Sequence, residues 1–172
     1  MAKWHARLLR LQTQAEEQQL MKPITDFAQR VNAKLILDPR FVVKKEGRYY
    51  LLARNLLSIA GGDFYYAGFY LGKMKNNRFF PSFNLLKMLA KTETNKIVVD
   101  DKAAWLFICG RDIFGKRITA SYGSRRKGDY TLILNSFEEC LGFGRIMQNL
   151  DVKSEVVVKN VSDVGDFLRR ER

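Results

Sequence analysis

The sequence predicts an α+β fold in two domains, and three observations support that class. Apolar residues recur at helical spacing over the first 31 residues, which favours amphipathic helices. Strand patterns separated by short Gly and Asn turns follow, which favours β-hairpins and so a mainly antiparallel sheet in the first half. Beyond residue 95 the strands are short and their turns closely spaced, which is typical of a small β-rich unit.

Two helices are predicted at the N-terminus. One apolar face is formed by Trp4, Leu8, Leu11 and Ala15. A second amphipathic helix is expected to begin near Pro23, because proline is well tolerated in the first turn of a helix. The single histidine of the sequence, His5, falls in the first of these helices, where we expect it to face solvent.

A β-hairpin is predicted next. Residues 41–45 and 48–52 are strand-like and flank Glu46-Gly47, which suits a tight turn. Residues 56–60 then suit a short helix, which Gly61-Gly62 would stop.

The last elements of the first half are a strand, a turn and a helix. Residues 63–72 predict a strand whose two faces are both covered, at least in part. Asn76-Asn77 predicts a turn into a further strand, and Ser82 is a favoured cap for a helix over residues 85–90. The polar, aperiodic residues 91–95 then mark a boundary between domains 1–95 and 96–172.

The second half is expected to begin with a strand and a helix. Residues 96–99 predict the strand, Asp100 or Asp101 is expected to cap the helix, and Gly110 is expected to stop it. Four further strands and a terminal helix that begins at Ser162 are predicted, the strands over residues 118–122, 130–135, 140–147 and 156–159.

The charge of the chain points to a polyanionic partner. Of 172 residues, 47% are hydrophobic, which excludes a largely disordered chain, yet the net charge is +12. Nucleic acid is the first expectation, and an anionic membrane surface is the alternative. No apolar run approaches the length of a membrane span, so we expect a soluble protein. Cys109 and Cys140 lack a CxxC partner, so we expect reduced, buried thiols in an intracellular protein.

Reacting groups are scarce. His5 alone cannot supply a histidine triad or a histidine-ligated metal centre. Asp100-Asp101 could act as a carboxylate pair, but adjacent side chains diverge and aspartate is a favoured helix cap. Gly142-Phe-Gly144 resembles the front of a dinucleotide fingerprint without its third glycine or its helix. The sequence therefore predicts a protein that is not an enzyme, with no catalytic residue, no metal and no cofactor.

Basic clustering is the positive signal. Between Arg111 and Lys127 there are six basic residues against Asp112 alone. Arg125-Arg126-Lys127 lies between two glycines and predicts a mobile hairpin tip that could follow a phosphate backbone. The alternative is a solvated loop that only keeps the protein soluble. A second basic group, Lys73, Lys75 and Arg78, lies among aromatic residues that either stack on unpaired bases or fill the core.

The order of motifs resembles the Nip-seven family of large-subunit ribosome biogenesis factors, which end in a PUA domain, an RNA-binding module. In the first half, residues 56–60, Gly72-Lys73 and 79–90 look like the family's helix, glycine-lysine turn, strand and helix. In the second half, residues 105–110 and 141–144 are similar to the PUA helix that ends in glycine and to its late strand. The N-terminal helix over residues 1–20 looks like an extension beyond the family pattern.

The resemblance implies an N-terminal α/β domain followed by a PUA-like β-pseudobarrel that binds RNA without catalysis. It implies work on pre-ribosomal RNA alongside other assembly factors. We expect single-stranded or loop regions of this RNA to be bound, because the sequence offers both aromatic and basic side chains, and we expect no membrane partner. Family members often carry a basic pair after the late strand, whereas this chain has Asp151-Val152 there. The residues expected to contact RNA are Lys116, Arg117, Arg125, Arg126, Lys127, Arg145, Lys153 and Lys159.

Two alternative functions stay open at this stage. The same module is found in RNA-modification enzymes, although residues 1–95 look too small for their catalytic domains. It also occurs in MCT-like translation factors, which join a small N-terminal domain to a PUA domain. The expected location is the cytoplasm in a prokaryote or archaeon and the nucleolus in a eukaryote.

Overall fold

A computed structural model describes residues 2–59 and 67–166, with side chains described over 14–57 and 67–166. The chain divides into two compact units. The first consists of Met1–Phe27 and Leu35–Ser82, and the second of Ala28–Lys34 and Phe83–Arg172. Each unit contains its own β-sheet, with four strands in the first and six in the second, so the predicted α+β class is confirmed.

One N-terminal helix, α1 (Ala2–Arg30), takes the place of the two predicted, and Pro23 lies inside it. Proline removes one N–H and crowds the carbonyl four residues earlier, which here belongs to the exposed residue Gln19. Ile24 and Phe27 are buried just beyond the proline, and their burial favours continuation of the helix. The side chains of Trp4, His5, Leu8 and Leu11, on which predictions were based, lie outside the described residues.

The sheet of the first unit is antiparallel throughout, in the order β1-β2-β3-β4. Its strands are β1 (Val42–Lys45), β2 (Arg48–Leu51), β3 (Phe69–Lys75) and β4 (Arg78–Pro81). Both predicted turns are confirmed: Glu46-Gly47 and Asn76-Asn77 adopt positive φ angles at both positions, as a two-residue hairpin turn requires. Residues Arg54–Ile59 form a 3-10 helix, and the predicted stop at Gly61-Gly62 lies outside the described residues.

Strand β3 begins later than predicted. The expected strand covered residues 63–72, of which 63–66 lie outside the described residues. Gly68 has a φ of +62°, and a Cβ at this position would clash with the backbone oxygen of Leu51. The chain therefore bends at Gly68 and becomes extended only from Phe69.

Helix α2 (Phe83–Ala90) follows Ser82 and buries Leu85, Leu86 and Leu89, as the apolar spacing predicts. The Ser82 hydroxyl donates a hydrogen bond of 2.6 Å to the carbonyl of Tyr70.

The sheet of the second unit has the order β6-β10-β9-β8-β5-β7, and β5–β8 is its single parallel pair. Its strands are β5 (Lys96–Val99), β6 (Ile113–Phe114), β7 (Ile118–Tyr122), β8 (Tyr130–Leu134), β9 (Cys140–Ile146) and β10 (Val156–Asp163). The predicted terminal helix begins later than Ser162, because Ser162 and Asp163 pair with Phe143 and Gly142 and extend β10. Gly165 and Asp166 are helical, and the rest of the predicted helix lies outside the described residues. The two-residue strand β6 is too short to leave a periodic pattern.

Helix α3 (Asp101–Ile108) has both of its predicted ends. The Asp100 carboxylate accepts a hydrogen bond of 2.8 Å from the Ala103 N–H. At the other end Gly110 has a φ of +85°, its N–H donates to Phe107 O, and the next N–H, of Arg111, donates to Leu106 O. This pair of bonds is the Schellman arrangement that a glycine cap favours.

Candidate nucleic-acid interface

The basic residues 125–127 lie in a loop that is anchored by Asn95. This side chain is only 2% exposed, accepts a hydrogen bond of 2.8 Å from the Ser124 N–H and donates one of 3.1 Å to Tyr130 O. The preceding Gly123 has a φ of +76°, and a Cβ there would stand 2.5 Å from the Asn95 amide oxygen. Only glycine allows the loop to pass this close to Asn95.

The loop also has internal hydrogen bonds. The Ser124 hydroxyl donates to the Asp129 carboxylate and accepts from the Arg126 N–H at 3.2 Å. The Gly128 N–H donates to Ile146 O at 2.8 Å, which ties the loop to the end of β9. The loop is thus held at both ends and across its middle.

The predicted mobile hairpin tip is wrong. Strands β7 and β8 do not pair, because β5 lies between them and pairs with both. The loop therefore crosses over the start of β5, where Asn95 lies, instead of closing a hairpin. The apolar residues Ile97 and Val99 of β5 are almost fully buried, and this central position between two strands accounts for their burial.

Four exposed basic residues meet at this loop, and we call them the basic patch: Arg126, Lys127, Arg145 and Lys159. Arg145 on β9 lies opposite Lys159 on β10 in the strand register, and its Nε donates to Gly128 O at 3.2 Å. Because cross-strand neighbours point to the same face of a sheet, Arg145 and Lys159 lie side by side next to the loop.

An aromatic residue borders this patch. Tyr130 lies opposite Arg145 on the other side of β9, is half-buried, and packs on the Phe143 ring at a centroid distance of 5.8 Å. A row of Tyr130, Arg145 and Lys159 therefore crosses three strands. Guanidinium and ammonium groups can neutralise phosphates here, and a half-exposed tyrosine side chain can stack on a base.

Arg125 is positioned differently from its two neighbours. Its Nε donates to the Ser121 hydroxyl at 3.0 Å, and its Nη1 lies 3.3 Å from the carboxylate of Asp151. Both charged side chains are exposed, so the pair adds little stability, but Asp151 offsets part of the charge of Arg125. The Asp151 position is the place where the resembled family often carries a basic residue.

Arg117 also has an acidic partner. Its Nη1 lies 2.9 Å from the Asp100 carboxylate, which already caps α3. Burial by itself would raise the pKa of Asp100, but hydrogen bonds from the Ala103 N–H and the Arg117 guanidinium outweigh it and lower that pKa below its ordinary value. Arg117 thus stabilises a helix end as well as adding positive charge.

The remaining predicted residues, Lys116 and Lys153, form a separate pair. The Lys116 N–H donates to Lys153 O at 3.1 Å, and both side chains are exposed. Asp151, two residues before Lys153, forms the ion pair with Arg125 and so connects this segment to the basic loop. The structure thus gathers four of the eight predicted residues in the basic patch and places the other four along an adjoining surface that contains acidic partners.

Sequence reasoning missed Asn95 and Tyr130. Asn95 lies in what the sequence predicts to be a polar linker, although it is buried, and its partners Ser124 and Tyr130 lie 29 and 35 residues away.

The two cysteines differ from each other. Cys109 is exposed at the end of α3, contrary to the prediction, whereas Cys140 is buried and burial raises its pKa to about 11. Among the described residues no group of acidic, histidine or cysteine side chains is arranged to hold a metal ion, and none of the helices could cross a bilayer.

Comparisons with known proteins separate the two halves of the chain. Residues 95–172 match the family model described as the UPF0113 PUA domain. The second half is PUA-like. Residues 26–89 match a different model, described as the first C-terminal domain of the RsmF rRNA methyltransferase.

Relatives and solved structures agree with this assignment of the fold. A UPF0113 protein from Archaeoglobus fulgidus is 29% identical over 115 residues, which cover 63% of this chain and 64% of that protein. A hypothetical protein from Pyrococcus horikoshii matches with a TM-score of 0.60 at 14% identity, over 90% of this chain and 95% of that one. A conserved PUA domain protein from Thermoplasma acidophilum matches with a TM-score of 0.52 at 20% identity, over 76% and 79%. The predicted PUA-like fold is confirmed by these two structures.

Proposed function

We propose that this protein binds RNA through the basic patch of its PUA-like domain and acts, without catalysis, in maturation of the large ribosomal subunit. The observation that carries the proposal is the convergence of Arg126, Lys127, Arg145 and Lys159 beside a loop that is anchored to the sheet. A fixed array of four exposed cations neutralises successive phosphates without the cost of ordering a flexible loop.

The expected RNA is single-stranded or looped. The base edges of an A-form duplex are hidden in a deep, narrow major groove. Unpaired bases, in contrast, can stack on an aromatic side chain such as Tyr130. Equal lengths of single-stranded and duplex RNA should therefore compete differently for a labelled oligonucleotide. Stronger competition by the duplex would contradict this preference.

The patch is tested with a triple substitution and a charge-matched control. Arg126→Gln, Lys127→Gln and Lys159→Gln together should weaken RNA binding and reduce the slope of log affinity against log salt by about 0.7 for each lost phosphate contact. Arg145 is left in place because it bonds to the loop backbone. The control is Lys87→Gln, Lys91→Gln and Lys102→Gln, which removes three exposed charges from α2, the turn after it and α3 of the same unit.

The role in ribosome maturation is supported by the order of motifs that resembles the Nip-seven family. Depletion of the protein in its own cells should cause precursors of the large subunit to accumulate. Defects in translation initiation, with normal subunit levels, would favour the MCT-like alternative instead. The proposed location is the cytoplasm of a prokaryote or archaeon, or the nucleolus of a eukaryote.

A second candidate function is a part in RNA modification, and the match of residues 26–89 to a domain of an rRNA methyltransferase favours it. In that case the chain would supply RNA-binding modules to a methyltransferase, because the sequence itself offers no complete cofactor fingerprint. Purified protein incubated with rRNA and labelled S-adenosylmethionine should transfer no methyl group under either proposal. Loss of specific rRNA methylation after depletion would favour the second.

A further inference from the structure

One face of the sheet in the first unit carries a cluster of cations. Residues that lie opposite each other in the register of adjacent strands point to the same face. One such row crosses all four strands: Lys45 on β1, Arg48 on β2, Lys73 on β3 and Phe80 on β4. Lys75 and Arg78 lie opposite each other on β3 and β4, two residues from this row and on the same face. We call the row, together with Lys75 and Arg78, the cationic sheet face.

The cationic sheet face is open at the end next to the two hairpin turns. Lys73, Lys75 and Arg78 are exposed, and Phe80 is 36% exposed. The other end of the same face is covered. Tyr50, two residues beyond Arg48, is only 2% exposed and belongs to an apolar cluster against which two leucines of the 3-10 helix, Leu56 and Leu57, pack. The exposed part of the face is therefore the part that carries the cations.

The aromatic residues of β4 divide between the two faces. Phe79 points to the covered side of the sheet, where its ring lies 5.7 Å from that of Tyr49 and 6.3 Å from that of Phe27 on α1. A Cβ at Gly72 would stand 2.7 Å from the Phe79 ring, so glycine gives this ring its place. Phe79 thus fills the core, whereas Phe80 shares the open face with the cations.

Phe80 and Arg78 form a surface on which a base can stack. The Arg78 guanidinium carbon lies over the Phe80 ring, 5.6 Å from its centroid. Unpaired bases stack on aromatic rings and on guanidinium planes. Neighbouring strands lie about 4.8 Å apart, and residues two apart on a strand are about 7 Å apart. Lys73 and Lys75 are therefore close enough to hold phosphates that flank a base stacked at Phe80.

The charge of this part of the chain selects an anionic ligand. Residues 39–81 contain eight basic residues and two acidic ones, Glu46 and Asp63. Glu46 forms an ion pair of 3.2 Å with Arg48. Among the residues that the structure describes, no carboxylate pairs with Lys73, Lys75 or Arg78. These three cations attract a chain of phosphates.

The shape of the face favours RNA over an anionic membrane. Membrane-surface binding requires apolar side chains that enter the boundary of the acyl region. The large apolar residue of this face, Phe80, lies within a strand and is only 36% exposed. A ring at the level of the sheet suits stacking on a base better than insertion into lipid.

We propose that the cationic sheet face is a second RNA site, which binds single-stranded RNA with a base on Phe80 and Arg78 and phosphates on Lys73 and Lys75. All of its residues belong to the first unit. The basic patch belongs to the second unit, so this inference extends the proposed RNA binding to another surface without resting on that patch.

The lysines are tested in the full chain with a fluorescent oligouridylate of about ten nucleotides. Lys73→Gln with Lys75→Gln should weaken binding and reduce the slope of log affinity against log salt by about 1.4, or 0.7 for each lost phosphate contact. The control, Lys44→Gln with Lys87→Gln, removes two exposed lysines elsewhere. Lys44 lies over the Tyr49 ring on the other face of the sheet, and Lys87 belongs to the second unit. Equal effects of the two pairs would overturn the proposal.

Phe80→Leu tests the stacked base. Leucine keeps an apolar side chain in place but cannot stack, so affinity should fall about fivefold or more while the salt slope stays unchanged. The control is Phe69→Leu, at a residue that is 38% exposed on β3. Phe69 neighbours Tyr70, whose ring packs on Tyr50, and therefore points to the opposite face. RNA affinity of Phe80→Leu equal to that of Phe69→Leu would contradict the site.

The two RNA sites are separated by combining variants. The Lys73 and Lys75 pair is measured in the parent and in the variant that lacks Arg126, Lys127 and Lys159. Loss of affinity in both backgrounds supports the second site, and loss caused by the lysine pair but not by the triple variant supports it while removing the basic patch. Loss caused by the triple variant alone overturns the second site and leaves the basic patch intact. Sedimentation with phosphatidylserine and phosphatidylcholine vesicles tests the membrane. Vesicle binding that requires Lys73 and Lys75, with RNA affinity unaffected by them, would also overturn the proposal.

Discussion

The backbone N–H of Ser124 donates a hydrogen bond of 2.8 Å to the side-chain oxygen of Asn95, which is itself almost fully buried. Asn95 immediately precedes β5, the strand that lies between β7 and β8. The bond therefore fixes the basic loop to the start of β5, and the positions of Arg126 and Lys127 depend on a residue that carries no charge.

Asn95→Leu is expected to destabilise the fold and weaken RNA binding together. It leaves the Ser124 N–H and the Tyr130 carbonyl without their partner, and an unsatisfied buried group costs about 1–3 kcal/mol. The free energy of unfolding from denaturant titration and RNA affinity from fluorescence anisotropy measure the two effects. Asn55→Leu, at an exposed position, serves as the control and should change neither by much. RNA affinity unchanged in a destabilised Asn95→Leu variant would show that the loop does not need this anchor.

Local chemistry predicts much of this fold. Both hairpin turns need positive φ at two successive residues, and Glu-Gly and Asn-Asn at those places indicate them before any tertiary contact is known. The cap at Asp100 and the stop at Gly110 depend on single residues at helix ends and are equally local.

The parts that sequence reasoning missed depend on contacts between distant residues. A strand inserted between β7 and β8 is a matter of sheet pairing, and the pattern of either strand is the same in a hairpin as in a crossover. Arg117 and Arg125 look alike in a basic run, but their acidic partners lie 17 residues before and 26 residues after them. Helix α1 continues through Pro23 because residues beyond it are buried, which a local rule on proline does not include.

Gly110→Val is expected to lower the free energy of unfolding by about 1–2 kcal/mol. The φ of +85° at this position is strained for any residue with a Cβ, and most strained for a β-branched one. Gly110→Asn is the matched control, because asparagine tolerates the left-handed region, and it should cost clearly less. If thermal unfolding shows that Gly110→Val and Gly110→Asn lose equal stability, the added side chain and not the backbone angle causes the effect.

The same glycine directs the chain toward Lys116 and Arg117, so Gly110→Val should also weaken RNA binding if these two residues contact RNA. A second, distant stabilising substitution that restores the melting temperature should leave part of the affinity loss. Complete recovery of affinity would indicate that the direction of this turn does not matter for binding.

Arg117→Gln is expected to make stability less dependent on pH in the acidic range. The Asp100 pKa is lowered in the folded protein, so its contribution is fully present above the unfolded value of about 4 and is lost as the pH falls through the lowered folded value. Without Arg117 the shift is smaller, and the variant should be less stable than the parent at pH 7 by less than about 1 kcal/mol. In denaturant titrations from pH 7 to about pH 2, the difference in unfolding free energy between parent and variant should shrink. A difference that stays constant with pH would instead come from lost packing of the arginine side chain.

Asp151→Asn is expected to strengthen RNA binding while leaving stability within about 0.5 kcal/mol of the parent, because its ion pair with Arg125 is exposed. The substitution removes a negative charge from the edge of the basic loop and keeps the Asp151 backbone N–H, which bonds to the Asn149 side chain. In the parent, Arg125→Gln should reduce affinity less than Arg126→Gln, since Asp151 already offsets part of the Arg125 charge. In the Asp151→Asn background the two arginine substitutions should become more nearly equal. Anisotropy titrations of the three single and two double variants at one salt concentration test this prediction. If Arg125→Gln changes RNA affinity equally in both backgrounds, Asp151 does not control how much this arginine contributes to binding.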